Sequence, residues 1–90
     1  MEFEFDEEKS KSNQLKNGID FVEAQALWQD ENRVVINAKT TGELRYLLIA
    51  EHNRKLWTAV FTTRRERIRI ISIRRSRDEE QRFYRISPGV

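Results

Sequence analysis

The spacing of apolar residues changes along this chain, from a mostly helical period in the first third to a strand period in most of the remainder. Residues 2–5 alternate polar and apolar side chains and therefore predict a short first strand. Asp6 is a favourable N-cap for a helix over residues 7–17, and Gly18 is suited to end that helix in a left-handed conformation.

A second helix is predicted to begin near Asp20, because Glu23 follows three residues later as in a capping box. Its apolar residues recur at helical spacing, and the helix is expected to end near Asp30. Four strands separated by short polar turns are predicted next. They span residues 33–38, 44–51, 56–63 and 67–74.

A closing helix is predicted over about residues 77–86, since Ser76 and Glu79 form a second capping box and Pro88-Gly89 would end it. The element order predicts an α+β fold. An antiparallel four-stranded meander follows an N-terminal strand and two helices and precedes one C-terminal helix, with helices covering one face of the sheet. Residues 1–90 are expected to form a single domain, because this length leaves no room for two independent cores.

Composition excludes several classes of protein. The absence of cysteine removes disulfides, thiolate metal sites and thiol nucleophiles. A single histidine leaves mainly carboxylates as metal ligands, so we expect neither a metal nor a cofactor. No apolar run approaches the roughly 20 residues of a membrane span, and a cytoplasmic protein without a membrane partner is expected.

The charge is distributed unevenly, although the formal net charge is only +2. Residues 1–31 carry nine acids and three bases, whereas residues 64–77 carry seven arginines and one acid. Arginine stays protonated and its planar fork of donors fits phosphate, which makes RNA the first candidate ligand. The alternative is that these arginines form ion pairs within the protein, and the sequence does not decide between the two readings. The possible partners are Glu43, Glu51, Asp78, Glu79 and Glu80.

Two patterns could present this charge to a ligand. Lys9, Asn13 and Lys16 fall at i, i+4 and i+7 of the first helix and could share one stripe, which is equally typical of an ordinary solvated helix face. In the last strand, Arg67 and Arg69 are expected to share a face with Ile71 and Ile73. We expect the open end of that strand to show its arginines.

Nucleophilic catalysis is poorly supported, since the one histidine, His52, lies beside Asn53 in a predicted turn. The remaining reaction to consider is RNA cleavage in which the RNA's own 2′-hydroxyl attacks the neighbouring phosphate. That reaction needs a base, an acid and positive charge at the phosphorus, and arginine and lysine can supply the charge without a metal. A lysine could also act as the base if its pKa were lowered.

Two signatures in this chain resemble those of the BrnT family of type II toxins. The first comprises residues 3–9, Asn13, Lys16-Asn17-Gly18, Phe21, Glu23 and Ala24. The second comprises Arg45-Tyr46, residues 59–62, residues 67–74 and Tyr84. Their joint occurrence in the correct order over residues 3–84 is more specific than either alone.

The resemblance implies a RelE-like ribonuclease toxin that blocks translation by cutting RNA. It also implies a cognate antitoxin, similar to BrnA, whose ribbon-helix-helix part connects the complex to operator DNA. By position, the resemblance places catalytic or phosphate-handling roles on Lys9, Arg64, Arg67, Arg69 and Arg74. Further RNA contacts are expected at Asn13, Lys16, Arg45, Arg65 and Tyr84.

One departure from the family pattern bears on activity. Asn17 stands where the family usually has histidine, and an amide cannot titrate. Two hypotheses follow: a metal-independent endoribonuclease, or a catalytically weak basic module that docks an antitoxin or nucleic acid. The first requires the strand's arginines and an amine of the first helix to converge in one anion pocket. Arginines on opposite faces, or each neutralised by its own carboxylate, would contradict it.

Overall fold

A computed structural model describes residues 1–38 and 42–86. Each predicted strand and helix is present in the predicted order, with ends that differ by a few residues. The elements are β1 (Glu2–Glu4), α1 (Glu7–Asn17), a 3-10 helix (Glu23–Gln29), β2 (Val34–Ala38), β3 (Arg45–His52), β4 (Lys55–Arg64), β5 (Arg67–Arg75) and α2 (Asp78–Ile86). The predicted stop at Pro88-Gly89 lies outside the described residues.

The predicted α+β class is confirmed, but the sheet has five strands rather than four. Its order is β1-β5-β4-β3-β2, and β1 pairs in parallel with the first half of β5. A parallel partner needs a long crossover connection, and α1 and the 3-10 helix provide part of it. The N-terminal strand is therefore an edge of the same sheet, next to the arginine-rich strand.

The second predicted helix is a 3-10 helix instead of an α-helix. Its predicted cap is present, because the Asp20 carboxylate accepts a hydrogen bond from the Glu23 amide at 2.8 Å. Ala24 and Leu27 are fully buried. Residues three apart lie on the same side of a 3-10 helix, so this geometry directs both side chains into the core.

The first helix begins and ends where its capping residues predict. The Asp6 carboxylate accepts hydrogen bonds from the amides of Glu8 and Lys9, at 2.8 and 3.1 Å. Gly18 ends the helix with φ +79°, a conformation that glycine adopts without steric strain.

One face of the sheet packs against the 3-10 helix and its flanks to form the core. We call the opposite face the arginine face. Residues paired across antiparallel strands share a face, so Arg64 with Arg67, Thr62 with Arg69, and Thr58 with Arg74 all lie on it. The side chains therefore lie on one face of the sheet and not on opposite faces.

An extra residue in β5 changes which face of the sheet the later side chains lie on, so the predicted alternation is wrong beyond Ile70. Ile70 lies opposite Phe61, but Ser72 lies opposite the preceding residue of β4, which leaves Ile71 unpaired in the ladder. This β-bulge shifts the alternation by one position. Ile73 consequently lies in the core with Ile70, and not beside Arg69 as the unbroken alternation predicted.

Helix α1 covers the part of β5 that extends beyond β1. The Asn13 side chain accepts a hydrogen bond from the Ile73 amide at 3.2 Å and donates one to the Ile19 carbonyl at 2.8 Å. The Asn17 side chain donates to the Ile73 carbonyl at 3.1 Å. Two side-chain amides one turn apart on α1 thus bond both backbone polar groups of Ile73, as a neighbouring strand would.

Within the described ranges, none of the helices is both long and apolar enough to cross a membrane.

Candidate functional site

A cleft of about 480 Å³ lies where β1 meets the tip of the β4–β5 hairpin. Its lining residues are Glu2, Glu4, Arg64, Arg65 and Arg67. The register of the sheet explains this composition, because parallel pairing places Glu2 opposite Arg67 and Glu4 opposite Arg69. The cleft therefore combines guanidinium groups with two carboxylates.

The hairpin tip is a two-residue turn with an unusual sequence. Arg65 and Glu66 have φ values of +49° and +67°, as in the type I′ turns that favour Asn-Gly. A residue other than glycine in this left-handed conformation lowers the stability of the fold by about 1–2 kcal/mol. Strain of this kind is often found at functional sites, and here it lies beside the cleft.

The cleft arginines form ion pairs with carboxylates. One of these carboxylates is Glu43, which the sequence had offered as a possible partner. Arg64 Nε lies 3.0 Å from Glu43 Oε1, and Arg67 Nε lies 3.1 Å from Glu2 Oε2. The hydrogen bond from Arg64 lowers the pKa of the Glu43 carboxyl. The four arginines assigned to catalysis, Arg64, Arg67, Arg69 and Arg74, each contact their own carboxylate, which is the arrangement that would contradict a free anion pocket. Whether it does so depends on how strong each ion pair is.

Both pairs are open to water. The side chains of Arg64 and Arg67 are 52% and 55% exposed. Exposed ion pairs contribute little to stability, because water and salt screen them and both side chains lose freedom. An incoming phosphate can therefore take over the donors of Arg64 and Arg67 at a small energetic cost.

Arg69 forms a more sheltered pair. Its Nη1 donates to Glu4 Oε2 at 2.9 Å, and the two side chains are 31% and 29% exposed. Arg69 lies on the arginine face next to the cleft without lining it. Arg45 belongs to the same face by alternation along β3, and its charge contributes to lowering the pKa of Glu43.

The structure does not bring Arg74 to the cleft. Arg74 and Arg67 are seven positions apart on β5, or at most about 23 Å at ~3.3 Å per residue. Arg74 Nη1 and Nη2 donate to the two oxygens of Glu80 at 2.7 and 2.8 Å. Glu80 also accepts from Thr58 Oγ1 at 2.9 Å and from the Arg77 amide at 2.8 Å.

This network neutralises the Arg74 charge and fixes α2 to the arginine face. The helices therefore cover both faces of the sheet, and not one face as predicted. Burial alone would raise the pKa of Glu80, but the hydrogen bonds from Arg74, the Arg77 amide and Thr58 outweigh it and lower the pKa to about 2. Arg74 therefore has a structural partner that is ionised throughout the physiological range. A phosphate-handling role for Arg74 is inconsistent with this geometry.

Tyr84 also lies outside the cleft. Its hydroxyl donates to Asp30 Oδ2 at 2.7 Å and connects α2 to the end of the 3-10 helix. Burial and this carboxylate raise the pKa of Tyr84 above its usual value. The side chain is therefore a poor proton donor, and its hydroxyl links α2 to the end of the 3-10 helix through Asp30.

The predicted stripe on α1 is wrong at its centre. Asn13 is buried and bonded to backbone on both sides, whereas Lys9 and Lys16 are exposed. Neither lysine lines the cleft. Asn17 contacts the Ile73 carbonyl, so the position where the family usually has histidine also lies away from the cleft arginines.

Glu2 and Glu4 were missed as site residues, because the sequence does not state that β1 pairs with β5. A signal was nevertheless present. Glu2 and Glu4 alternate with Phe3 and Phe5, just as arginines alternate with isoleucines in the first half of β5. Two strands with complementary charge on one side and apolar residues on the other are natural neighbours.

His52 lies at the end of β3 and not in the cleft. Its Nε2 lies 3.0 Å from Glu23 Oε2, which ties the β3–β4 hairpin to the 3-10 helix. Among residues 1–38 and 42–86, no three side chains of histidine, aspartate or glutamate form a group that could hold a metal ion.

Comparison with known families identifies the chain. Residues 5–80 match the model of a family described as the ribonuclease toxin, BrnT, of type II toxin–antitoxin systems. No curated protein matches the chain. The chain therefore belongs to the BrnT family, which confirms the resemblance, supports ribonuclease activity and implies a cognate antitoxin as partner.

Proposed function

We propose that this member of the BrnT family cuts RNA in the cleft between β1 and the β4–β5 hairpin, without a metal ion. The observation that carries the proposal is the convergence of Arg64, Arg65 and Arg67 on one concave surface. Arginine forks match the geometry of phosphate oxygens and bind them through charge-assisted hydrogen bonds.

The chemistry needs positive charge where the phosphorus becomes pentacoordinate. The attacking 2′-oxygen adds negative charge to the phosphate, and donors aimed at that charge usually make the largest contribution to catalysis. Arg64 and Arg67 can supply such donors once phosphate replaces their carboxylate partners. Arg45 and Arg69 also lie on the arginine face and would contact or organise neighbouring parts of the RNA.

Exposed lysines of α1 are proposed to act outside the cleft. Lys9 and Lys16 can attract the RNA backbone without touching the reacting phosphate, since both side chains are free to reach solvent. The catalytic role that the resemblance implied for Lys9 becomes, in this proposal, a role in binding.

We place this activity in the cytoplasm, where cutting RNA would inhibit translation. A BrnA-like antitoxin with a ribbon-helix-helix part is the proposed partner. It would neutralise the toxin and contact operator DNA on behalf of the complex. An acidic surface on that antitoxin would complement the arginine face.

Expression without the antitoxin tests the proposal. The parent should arrest growth and break cellular RNA, whereas Arg67→Ala should lose both effects. Arg82→Ala provides the matched control, because it removes the same charge from exposed α2 far from the cleft. Arg67→Ala protein that remains as toxic and as active on RNA as the parent would refute the proposal.

A second function is favoured by one specific observation, the carboxylates that occupy the cleft arginines. The chain would then be a catalytically weak module that docks an antitoxin or nucleic acid. Purified parent that binds RNA but never cuts it would support this module. Complete cleavage by the same protein in chelator would exclude it.

A further inference from the structure

RNA cleavage by the 2′-hydroxyl requires a group that accepts the hydroxyl proton, and the usual candidates lie elsewhere. His52 is bonded to Glu23, Tyr84 is bonded to Asp30, and position 17 is an amide. Among the described residues that line the cleft, the side chains with a proton-accepting oxygen are the carboxylates of Glu2 and Glu4, since arginine has only donors.

We infer that Glu4 is the general base of this reaction, an inference that rests on the proposed ribonuclease function. Efficient proton transfer needs a base held in a fixed position near its substrate. The Glu4 side chain is 29% exposed and the Glu2 side chain 74%, so Glu4 is the better ordered of the two. Backbone pairing with β5 further fixes Glu4 opposite Arg69.

The hydrogen bonding of Glu4 leaves one oxygen available. Oε2 accepts the hydrogen bond from Arg69 Nη1 at 2.9 Å. Within residues 1–38 and 42–86, Oε1 has no hydrogen-bond partner and can face a substrate hydroxyl. Arg69 is then a positioning residue that orients the base, while Arg64, Arg65 and Arg67 contact the phosphate.

Glu4 Oε1 accepts the proton of the 2′-hydroxyl, and the 2′-oxygen forms a bond to phosphorus. The bond between phosphorus and the 5′-oxygen breaks, and that oxygen takes a proton from water at the mouth of the cleft. Glu4 returns its proton to solvent, which leaves a 2′,3′-cyclic phosphate and a 5′-hydroxyl end.

A carboxylate beside arginines could instead act only by neutralising them, and the two roles predict opposite results. Glu4→Gln keeps the shape of the side chain and removes its charge. If Glu4 is the base, RNA binding should tighten while single-turnover cleavage falls by roughly 10²–10⁴-fold, the usual contribution of general acid–base catalysis. If Glu4 only neutralises Arg69, binding should tighten and cleavage should be equal to that of the parent or faster.

Two controls separate a chemical role from a loss of charge or of structure. Glu66→Gln makes the same change of charge at the exposed hairpin tip and should retain cleavage. Glu4→Ala should lose cleavage and recover part of it when formate or acetate is added, because a small carboxylate can occupy the space. A folded Glu4→Ala protein, checked by circular dichroism, that shows no recovery would count against the inference.

The outcomes also separate this inference from the proposed function. If the parent cuts RNA and Glu4→Gln cuts it at the same rate or faster, the base is not Glu4 and the ribonuclease proposal stands. Loss of cleavage in Glu2→Gln, with Glu4→Gln active, would move the role to the other carboxylate and overturn the assignment. If the purified parent cuts no RNA at all, both the function and the base are refuted.

Discussion

Replacing Glu80 by glutamine tests whether Arg74 fixes the fold or handles phosphate. The substitution keeps the shape of the side chain and its possible contacts with Thr58 and the Arg77 amide, but removes the charge that Arg74 neutralises. The Glu80 side chain is only 9% exposed. Loss of the Glu80 charge should therefore leave the partly buried guanidinium of Arg74 without a charge partner.

The magnitude follows from the lowered pKa of Glu80. A change from 4.5 to about 2 corresponds to at most ~3 kcal/mol, and allowing for solvent screening we expect about 2 kcal/mol. For a chain of this size, such a loss lowers Tm by roughly 8–16 °C. It is a large part of the ~5–15 kcal/mol that stabilises a typical domain.

The sign of the pH dependence is fixed by the direction of the pKa shift. Since the folded state lowers the pKa, the stabilisation is complete above the ordinary value of 4.5 and is lost as pH falls towards about 2. The difference between parent and Glu80→Gln should thus be full at pH 7 and roughly halved near pH 3.

Urea unfolding followed by tryptophan fluorescence provides the assay, because Trp28 and Trp57 are both buried. Glu79→Gln is the matched control, since it makes the same charge change on the exposed side of the same helix. An unfolding free energy equal to the parent's at pH 7, or a difference that does not change with pH, would refute the reasoning. RNA cleavage lost by folded Arg74→Gln protein would restore a catalytic role to Arg74.

Three further predictions concern the cleft and its surroundings. Replacing Arg65-Glu66 by Asn-Gly should raise the unfolding free energy by about 1–2 kcal/mol through relief of the positive-φ strain, while RNA cleavage falls; unchanged stability would contradict the strain argument. Asn17→His should leave the cleavage rate within about twofold of the parent's, since position 17 faces the Ile73 carbonyl; a gain approaching the ~10²-fold expected of an added general base would contradict the site assignment. RNA affinity should fall by roughly 0.7 log units per log unit of salt for each phosphate bound, which gives a slope near −2 for three arginines in filter binding, and a slope near zero would exclude phosphate contacts.

The local structure of this chain could be predicted because it depends on neighbouring residues. Asp6 and Gly18 mark the ends of the first helix through hydrogen bonds and dihedral angles that act within a few positions. The alternation in residues 67–70 gives the correct faces for the same reason. Short polar turns likewise separate β3 from β4 and β4 from β5 as predicted.

The remaining features depend on contacts between distant residues. The parallel pairing of β1 with β5 joins residues 65 positions apart, so the two glutamates of the cleft could not be placed from local pattern. A single extra residue at Ile71 reverses the faces beyond it, and nothing in the apolar pattern marks that position. The sequence predicts that Asn13 is an exposed helical residue, because the Ile73 amide that bonds to it is 60 positions away.

The candidate site was predicted only in part, because some of its residues are neighbours in the sequence and others meet through distant contacts. Arg64, Arg65 and Arg67 flank one tight turn, so their proximity follows from the hairpin alone. Arg74 and Tyr84 belong to the same signature in the sequence, but each is drawn to a carboxylate elsewhere in the fold. Proximity along the sequence does not distinguish a ligand-binding arginine from one that fixes a helix to a sheet.

The most direct test of the central claim is the rate at which purified protein cuts RNA in the presence of excess chelator. The account predicts that the parent produces 2′,3′-cyclic phosphate ends, and that a folded variant with glutamine at positions 64, 65 and 67 produces none. Cleavage by that variant at the parental rate, or cleavage by the parent only when a divalent metal is added, would contradict it.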